Sequence, residues 1–454
     1  DAGKLIGDEP KSLLQPGVWA AVIVAAVVLI LIGYQIFHKT IAPEFEPASI
    51  EKMAFPLPDK PSIAVLPFDN MSSDPNQEFF SDGISEDIIT ALSKAEELFV
   101  IARNSTFTYK GKPVKIKQVA EELGVRYVLE GSVRKTEDRV RITAQLIDAV
   151  AGDHLWAERY DRELKDIFAL QDEITMKIVT ALEVKLTEGE QFHMSSGKGF
   201  KTLDVKLKAM EAYSLWKKGT IASHMRNGQL AQELIDMAPE SGVGYTWLGR
   251  YYWYLAMHGQ SPYESITKAF NLAQKALSLD EYNHFAYGLL SNLYTIMRQY
   301  DKAIAAGERS VALNPNGAEN HCALGITLGF AGMQDEAIDH FKYAIRLDPF
   351  PQYYFFLHLG RCYMHKGQYE EALLQVKKAL HISPESSYNN GELAMIYALL
   401  GRQEEAEEAV KKTLELDPSY SVERASKVLP YKNQADLKFI LDALRKAGFP
   451  HDKR

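Results

Sequence analysis

Cysteine is nearly missing: Cys322 and Cys362 are the only two in 454 residues. Two thiols build neither a disulfide framework nor a four-ligand zinc site, and they leave the redox compartment undecided. A surplus of positive charge is missing too. Lys and Arg number 51 against 60 Asp and Glu, a formal net charge of −9. No basic run is long enough to track a phosphate backbone, so nucleic-acid binding by this chain is not expected. The catalytic signatures G-x-x-x-x-G-K-[ST], H-E-x-x-H and G-x-S-x-G are absent from the sequence. The 12 histidines are scattered without ligand spacing. His154 falls in a predicted strand, where a structural role outweighs catalysis, while His321 beside Cys322 and His358 near Cys362 complete no four-ligand set. No catalytic residue, cofactor or metal site is therefore expected. What remains is 46% apolar and 24% charged, the balance of a folded chain long enough for two or three domains.

One long apolar run stands out. Residues 17–37, GVWAAVIVAAVVLILIGYQIF, hold no charge over 21 positions, long enough to cross a hydrocarbon core of about 30 Å as a helix. Trp19 and Tyr34 sit where interfacial aromatics belong. A signal peptide is the competing reading, opposed by the length of the run and the lack of a small-residue cleavage site after it. Lys4 and Lys11 before the run are matched by Lys39, Lys52 and Lys60 after it, so charge does not orient it. Residues 38–61 carry prolines at 43, 47, 56, 58 and 61 and read as an extended spacer.

Residues 62–190 mix both periodicities, as a small α/β domain does. SIAVLPF and LFVIAR are short buried strands, RVRITAQLID alternates apolar and polar residues, and VKIKQVAEELG is a helix stopped at Gly124. Phe80, Ile84, Ile88 and Leu92 mark another helix. Beside them Glu78, Asp82 and Glu86 form an acidic stripe, able in principle to hold a divalent cation, but also suited to a helix dipole with Ser81 or Asp82 as cap. Gly83 on this helix reads as a close approach to the sheet.

The rest of the chain has a period. LNP at 313–315, LDP at 347–349, ISP at 382–384 and LDP at 416–418 recur every 34 or 35 residues. Within each unit Ala303, Ala337, Ala372 and Ala406 hold one station, and Ser291, Gly325, Gly360 and Ala394 another. Only small residues let two antiparallel helices cross closely, and proline ends the second. The pattern resembles the tetratricopeptide repeat (TPR). It places an array over 203–419, with GVGYTWLG at 242–249 as a helix start rather than a phosphate loop, and a capping helix region at 420–454. By the repeat pattern, the first helix of each unit lines a groove through Phe285, Asn292, Ile326, Tyr354, Leu357, Arg361, Met364, Tyr388 and Met395. Such a lining suits an extended, largely apolar protein or peptide segment, or another part of this chain. Packing between units is the competing role for each of these side chains.

Residues 62–185 resemble the TolB-like N-terminal domain of bacterial membrane-anchored signalling proteins through SIAVLPF, FFSDGISEDIITALSK, LFVIARNSTFTYKGK, VAEELGVRYVLEGSVRK, RITAQLIDA and HLWAERYDRE. The order of transmembrane helix, spacer, TolB-like α/β domain and all-α TPR superhelix is similar to the C-terminal half of bacterial class III adenylate/guanylate cyclases. The resemblance implies that residues 1–16 close an upstream cytoplasmic part, that the protein is single-pass in the inner membrane, and that residues 38–454 lie outside the cytoplasm. It further implies a regulatory, partner-binding role and pairing of two copies. None of the cyclase's metal-binding aspartates is matched here. Two alternatives share the element order: the tail of a membrane-anchored winged-helix transcription regulator, and a free-standing scaffold.

Overall fold

A computed structural model describes residues 46–74, 77–186, 202–218, 220–257 and 262–452. The first of these build a sheet domain from strands β1 (Ser62–Val65), β2 (Asp69–Asn70), β3 (Phe99–Val100), β4 (Tyr127–Lys135), β5 (Arg139–Asp148) and β6 (Asp153–Glu163). The order is β3-β1-β4-β5-β6, with β2 beside β4. Strand β1 runs parallel to both neighbours, whereas β4, β5 and β6 form an antiparallel meander. Alternation along the strands serves two separate cores. Ile63, Val65 and Val100 pack under helices α1 (Glu78–Leu92) and α3 (Ile167–Ala181). Ala64, Leu66, Phe99 and Ile101 face the other way, onto α2 (Ile116–Leu123) and onto the helical array itself.

The array consists of hairpins α4 (Leu203–Lys218)/α5 (Ile221–Met237), α6 (Gly242–Met257)/α7 (Pro262–Leu279), α8 (His284–Ile296)/α9 (Tyr300–Leu313), α10 (Ala318–Ala331)/α11 (Gln334–Leu347), α12 (Tyr353–His365)/α13 (Tyr369–Ile382) and α14 (Ser387–Leu399)/α15 (Gln403–Leu416). Short α16 (Val422–Val428) and closing α17 (Gln434–Ala447) follow. The small-residue stations behave as their chemistry requires. Ala303, Ala337, Ala372 and Ala406 are wholly buried. A Cβ on Gly325 would come within 3.1 Å of the Phe341 ring, and one on Gly360 within 2.8 Å of Val376 Cγ2. Helix α17 buries Leu437, Ile440, Ala443, Leu444 and Ala447 and so closes the stack.

The edge of the array carrying the Asx-Pro corners docks on the sheet domain. Asn316 Nδ2 donates to the carbonyls of Ser93 (3.3 Å) and Ala95 (2.9 Å), while its Oδ1 accepts from the Val100 amide at 3.3 Å. One repeat later, Arg346 donates to the carbonyls of Leu123 (3.0 Å), Gly124 (2.7 Å) and Pro56 (3.2 Å), the end of α2 and the chain beneath it. The Ala102 amide donates to the Leu347 carbonyl at 2.8 Å, and Ser105 Oγ donates to Asp348 at 2.6 Å. A third tie is buried: Lys206 of α4 reaches Asp87 of α1 at 2.5 Å and Gln171 of α3 at 2.7 Å.

Several expectations are corrected. The fold class named a transmembrane helix first; among the described residues no helix is long and apolar enough to cross a membrane. Even the 18-residue α7 carries Glu264, Lys268 and Lys275. The expected span at 17–37 lies outside the described residues, and neither membrane insertion nor the single-pass inner-membrane localisation has a described helix to rest on. The architecture is a small sheet domain joined to an all-helical TPR-like superhelix. Residues 46–61, the part of the expected spacer that is described, lie against the sheet domain: the Ala48 amide bonds the Ala149 carbonyl at 2.7 Å, and Phe55 lies under Arg346 at 5.2 Å. Apart from a 3-10 turn at Ile50–Lys52 this proline-rich stretch has no regular structure, yet Ala48 and Met53 still find a core. Helix α1 starts at Glu78, ahead of the expected caps Ser81 and Asp82. Gly83 faces Met210 of α4 rather than the sheet.

Candidate functional site

The acidic stripe of α1 is answered by cationic side chains. Lys110 Nζ lies 3.0 Å from Glu78 and 2.5 Å from Asp82, and Arg103 Nε lies 2.9 Å from Glu86. Arg103 and Lys110 stand where the cation reading would place a metal, and among the described residues no group of three or more His, Cys, Asp or Glu is arranged to hold one.

The groove of the array divides into two halves. In the first, Arg250 of α6 lies 4.4 Å from the centre of the Trp216 ring, 5.2 Å from Trp247 and 5.6 Å from Phe285, with Glu319 of α10 at 3.4 Å. Tyr354 of α12 donates its hydroxyl to the other Glu319 oxygen at 3.1 Å. The first helices of three units thus meet through one cation, one carboxylate and one phenol, on an aromatic floor. Asn292 is half-buried and Tyr388 exposed, both on first helices of the same array.

The second half is sealed. Arg361 pairs with buried Glu392 at 2.8 Å and lies 5.8 Å from the Phe330 ring. Met364 and Met395 are buried in the core of the last repeats, and Leu357 packs with Phe356 and Ala379 between units. Those three cannot present themselves to a partner. Ile326, half-buried, and Arg361 are among the residues that line a small cavity, with Phe330, His358 and His365, and Tyr431 from the segment between α16 and α17 reaches into the same lining. Arg250, Trp247 and Tyr431 were not singled out from the sequence. Trp247 and Arg250 occupy an irregular repeat, and Tyr431 belongs to no repeat station.

Both cysteines are buried. Burial pushes the Cys362 thiol up to about 12, so it is not poised as a nucleophile. Four histidines are held neutral. Burial pushes His284 and His358 down to about 3, and His321 and His365 down to about 4. His321 is fixed by a 2.9 Å bond to the Pro315 carbonyl, which makes Nε2 its protonated nitrogen. An unfolded histidine titrates near pH 6.5, so below that value the unfolded chain takes up protons that the folded chain refuses. Stability should be fully present above about pH 6.5 and decline until about pH 3–4, by roughly 1–2 kcal/mol per histidine at pH 5, offset in part by carboxyls such as Asp82 that burial raises. Urea titrations at pH 7.5 and pH 5 check this; equal midpoints would refute it.

Comparison with known proteins follows the same division. Residues 322–387, and separately 286–316 and 389–420, match tetratricopeptide repeat models. The hairpins across 286–420 are tetratricopeptide repeats. Where a TolB-like domain was expected, residues 59–177 match the family described as HilA/YgeH-like transcriptional regulator, second domain, and no TolB-like match is shown. A protein of Rhizobium meliloti (strain 1021) named "Putative adenylate cyclase 3" is 46% identical over 256 residues, covering 54% of this chain and 42% of that protein. This chain therefore spans less than half the length of that relative. Solved TPR structures are also similar to part of the chain. A thermophilic TPR protein of Thermus thermophilus is 18% identical with a TM-score of 0.35, covering 42% of this chain and 98% of that one. YrrB, described as a TPR protein with an unusual peptide-binding site, is 20% identical with a TM-score of 0.30, covering 42% and 93%.

Proposed function

We propose that this chain is the regulatory, partner-binding region of an adenylate-cyclase-like signalling protein. Its TPR groove receives an extended segment of a protein partner at Arg250, Phe285, Glu319, Tyr354 and Tyr388, and the sheet domain relays occupancy. The 46% identity over 256 residues to the relative named as a cyclase carries the reading. The groove's chemistry supports it: an aromatic floor suits apolar side chains, while the Arg250–Glu319–Tyr354 set offers donors and an acceptor to a peptide backbone. A second reading, the tail of a transcription regulator, is favoured by the HilA/YgeH-like match over 59–177.

The test is cyclic AMP formation from ATP by the whole polypeptide carrying this chain, with and without Phe285→Ala plus Tyr354→Ala. Expected are turnover in both and a changed output or effector response in the variant, with the melting temperature retained. Promoter DNA binding without nucleotide turnover would replace this reading with the second.

A further inference from the structure

The second half of the groove is occupied by the chain itself, and the manner of occupation is that of a bound peptide. Leu429 has extended backbone, φ −73° and ψ 119°, as the residue before a proline must. From there Leu429, Pro430 and Tyr431 cross the mouths of three repeats. Arg298 donates to the carbonyls of Leu429 and Tyr431 at 3.0 Å each, and Tyr300 donates to the Pro430 carbonyl at 2.5 Å. The Lys432 amide donates to the Phe330 carbonyl at 2.9 Å. Tyr431, only 1% exposed, places its ring edge-on to Phe330 at 5.0 Å and its hydroxyl 2.8 Å from His365 Nε2. The segment's ends are exposed where they join helices: Val428, 61% exposed, is the last residue of α16, and Lys432 and Asn433, exposed as well, lead into α17.

Arg298 supplies the decisive detail. The residue that ends the first helix of each later unit is a glycine in left-handed backbone, Gly332, Gly367 and Gly401, with φ of 89°, 74° and 77°. Arg298 stands at the same repeat station with φ of 58°. That conformation costs any residue with a Cβ and is free for glycine. The unit that departs from glycine is the one whose side chain grips the strap, so the strain is accepted where a guanidinium is used.

We propose that Leu429–Asn433 is a displaceable internal ligand, and that the site it fills, walled by Ile326, Phe330, Arg361 and His365, takes an extended partner segment presenting a tyrosine directly after a proline. This deepens the reading of the array as a partner-binding groove and rests on it. The segment adds no helix or strand to the stack, and its burial rests on Pro430 and Tyr431, so its opening is a local event. A partner segment of like chemistry gains the same bonds once the strap has left.

The experiment uses a fluorescent synthetic peptide of residues 426–436 and the full chain, unaltered or carrying Tyr431→Ala. The substitution removes the ring that seats the strap and leaves Arg298, Tyr300, Phe330 and His365 in place for the peptide; the melting temperature of the array checks that folding is retained. Expected is peptide binding at least about tenfold tighter in Y431A than in the unaltered chain, lost when the peptide's tyrosine is replaced by alanine. Equal binding by both chains, or none by either, overturns the proposal. A second measurement needs no variant: the Lys432 amide should exchange with deuterium well before the Ile440 and Leu444 amides of α17, and exchange in step with them overturns it too. Neither outcome touches Arg250, Phe285 or Tyr354, so failure of the strap is distinguishable from failure of the groove.

Discussion

Replacing Asp87 with alanine should lower the stability of the chain by about 3–5 kcal/mol, because it strands a buried ammonium. Lys206 is 2% exposed, and its Nζ has Asp87 at 2.5 Å and Gln171 Oε1 at 2.7 Å. Gln171 in turn donates to Asp87 at 2.7 Å, closing a triangle among α4, α3 and α1. Burial pushes the Asp87 carboxyl up from its ordinary range, opposed by Lys206 and Gln171, so the triangle holds its charge only as a set. Asp87→Leu with Lys206→Met should recover most of the loss, since apolar residues of similar volume replace buried ion pairs at little or no cost. Guanidinium denaturation of the two variants decides; a double variant as weak as Asp87→Ala would show that the ions are needed for more than their mutual neutralisation.

Asn316→Ala should cost about 2 kcal/mol and weaken the joint between array and sheet domain. Its side chain donates to the Ser93 and Ala95 carbonyls and accepts from the Val100 amide; the carbonyls keep the Asn316 and Leu98 amides at 3.1 and 3.4 Å, but the Val100 amide loses its partner, and a buried group so stranded costs roughly 1–3 kcal/mol. The apolar core beneath is continuous from Phe99, Ile101 and Val119 to Phe341 and Leu347, so the unaltered chain should melt in one transition. Combining Asn316→Ala with Arg346→Met removes the bonds of these two side chains and leaves Ser105–Asp348, Ala102–Leu347 and Lys206–Asp87. Calorimetry should then show two transitions, the sheet domain melting apart from the array. A single sharp transition in the double variant would mean that the apolar contact and these remaining bonds suffice to couple the two parts.

The sequence made the local architecture readable where one constraint acts on one residue type. Helix crossings admit only small side chains, so Ala303, Gly325 and Ala337 announce the hairpins. One wet and one dry face force the alternation of Val140, Ile142, Ala144 and Leu146, all buried in β5. Long-range contacts leave no such periodic mark. Nothing in the letters around Asn316 distinguishes it from any loop asparagine, and its partners lie more than 200 positions away. Arg346 reads as a basic residue in the last turn of a helix, and it does meet a helix end, but that of α2. The groove was half legible. Repeat position put Phe285, Ile326, Tyr354 and Arg361 on one lining with Met364 and Met395, yet it could not show that the two methionines are covered. That requires knowing that the chain returns over them after α16.

The two docking corners also bear on how such an array can change over time. Repeat proteins lengthen and shorten by gaining or losing whole units, because each unit contacts mainly its neighbours. Here Asn316 and Asp348 end consecutive units and are fastened to fixed points on one sheet domain, the β3 entrance and Ser105. A unit inserted between them would carry the second corner away from its partner, and a deletion would bring the wrong corner to it. Copy number is thus frozen across this span, and the bonds of Leu429–Tyr431 back to Arg298 and Tyr300 extend the same constraint over the units between Phe350 and α16.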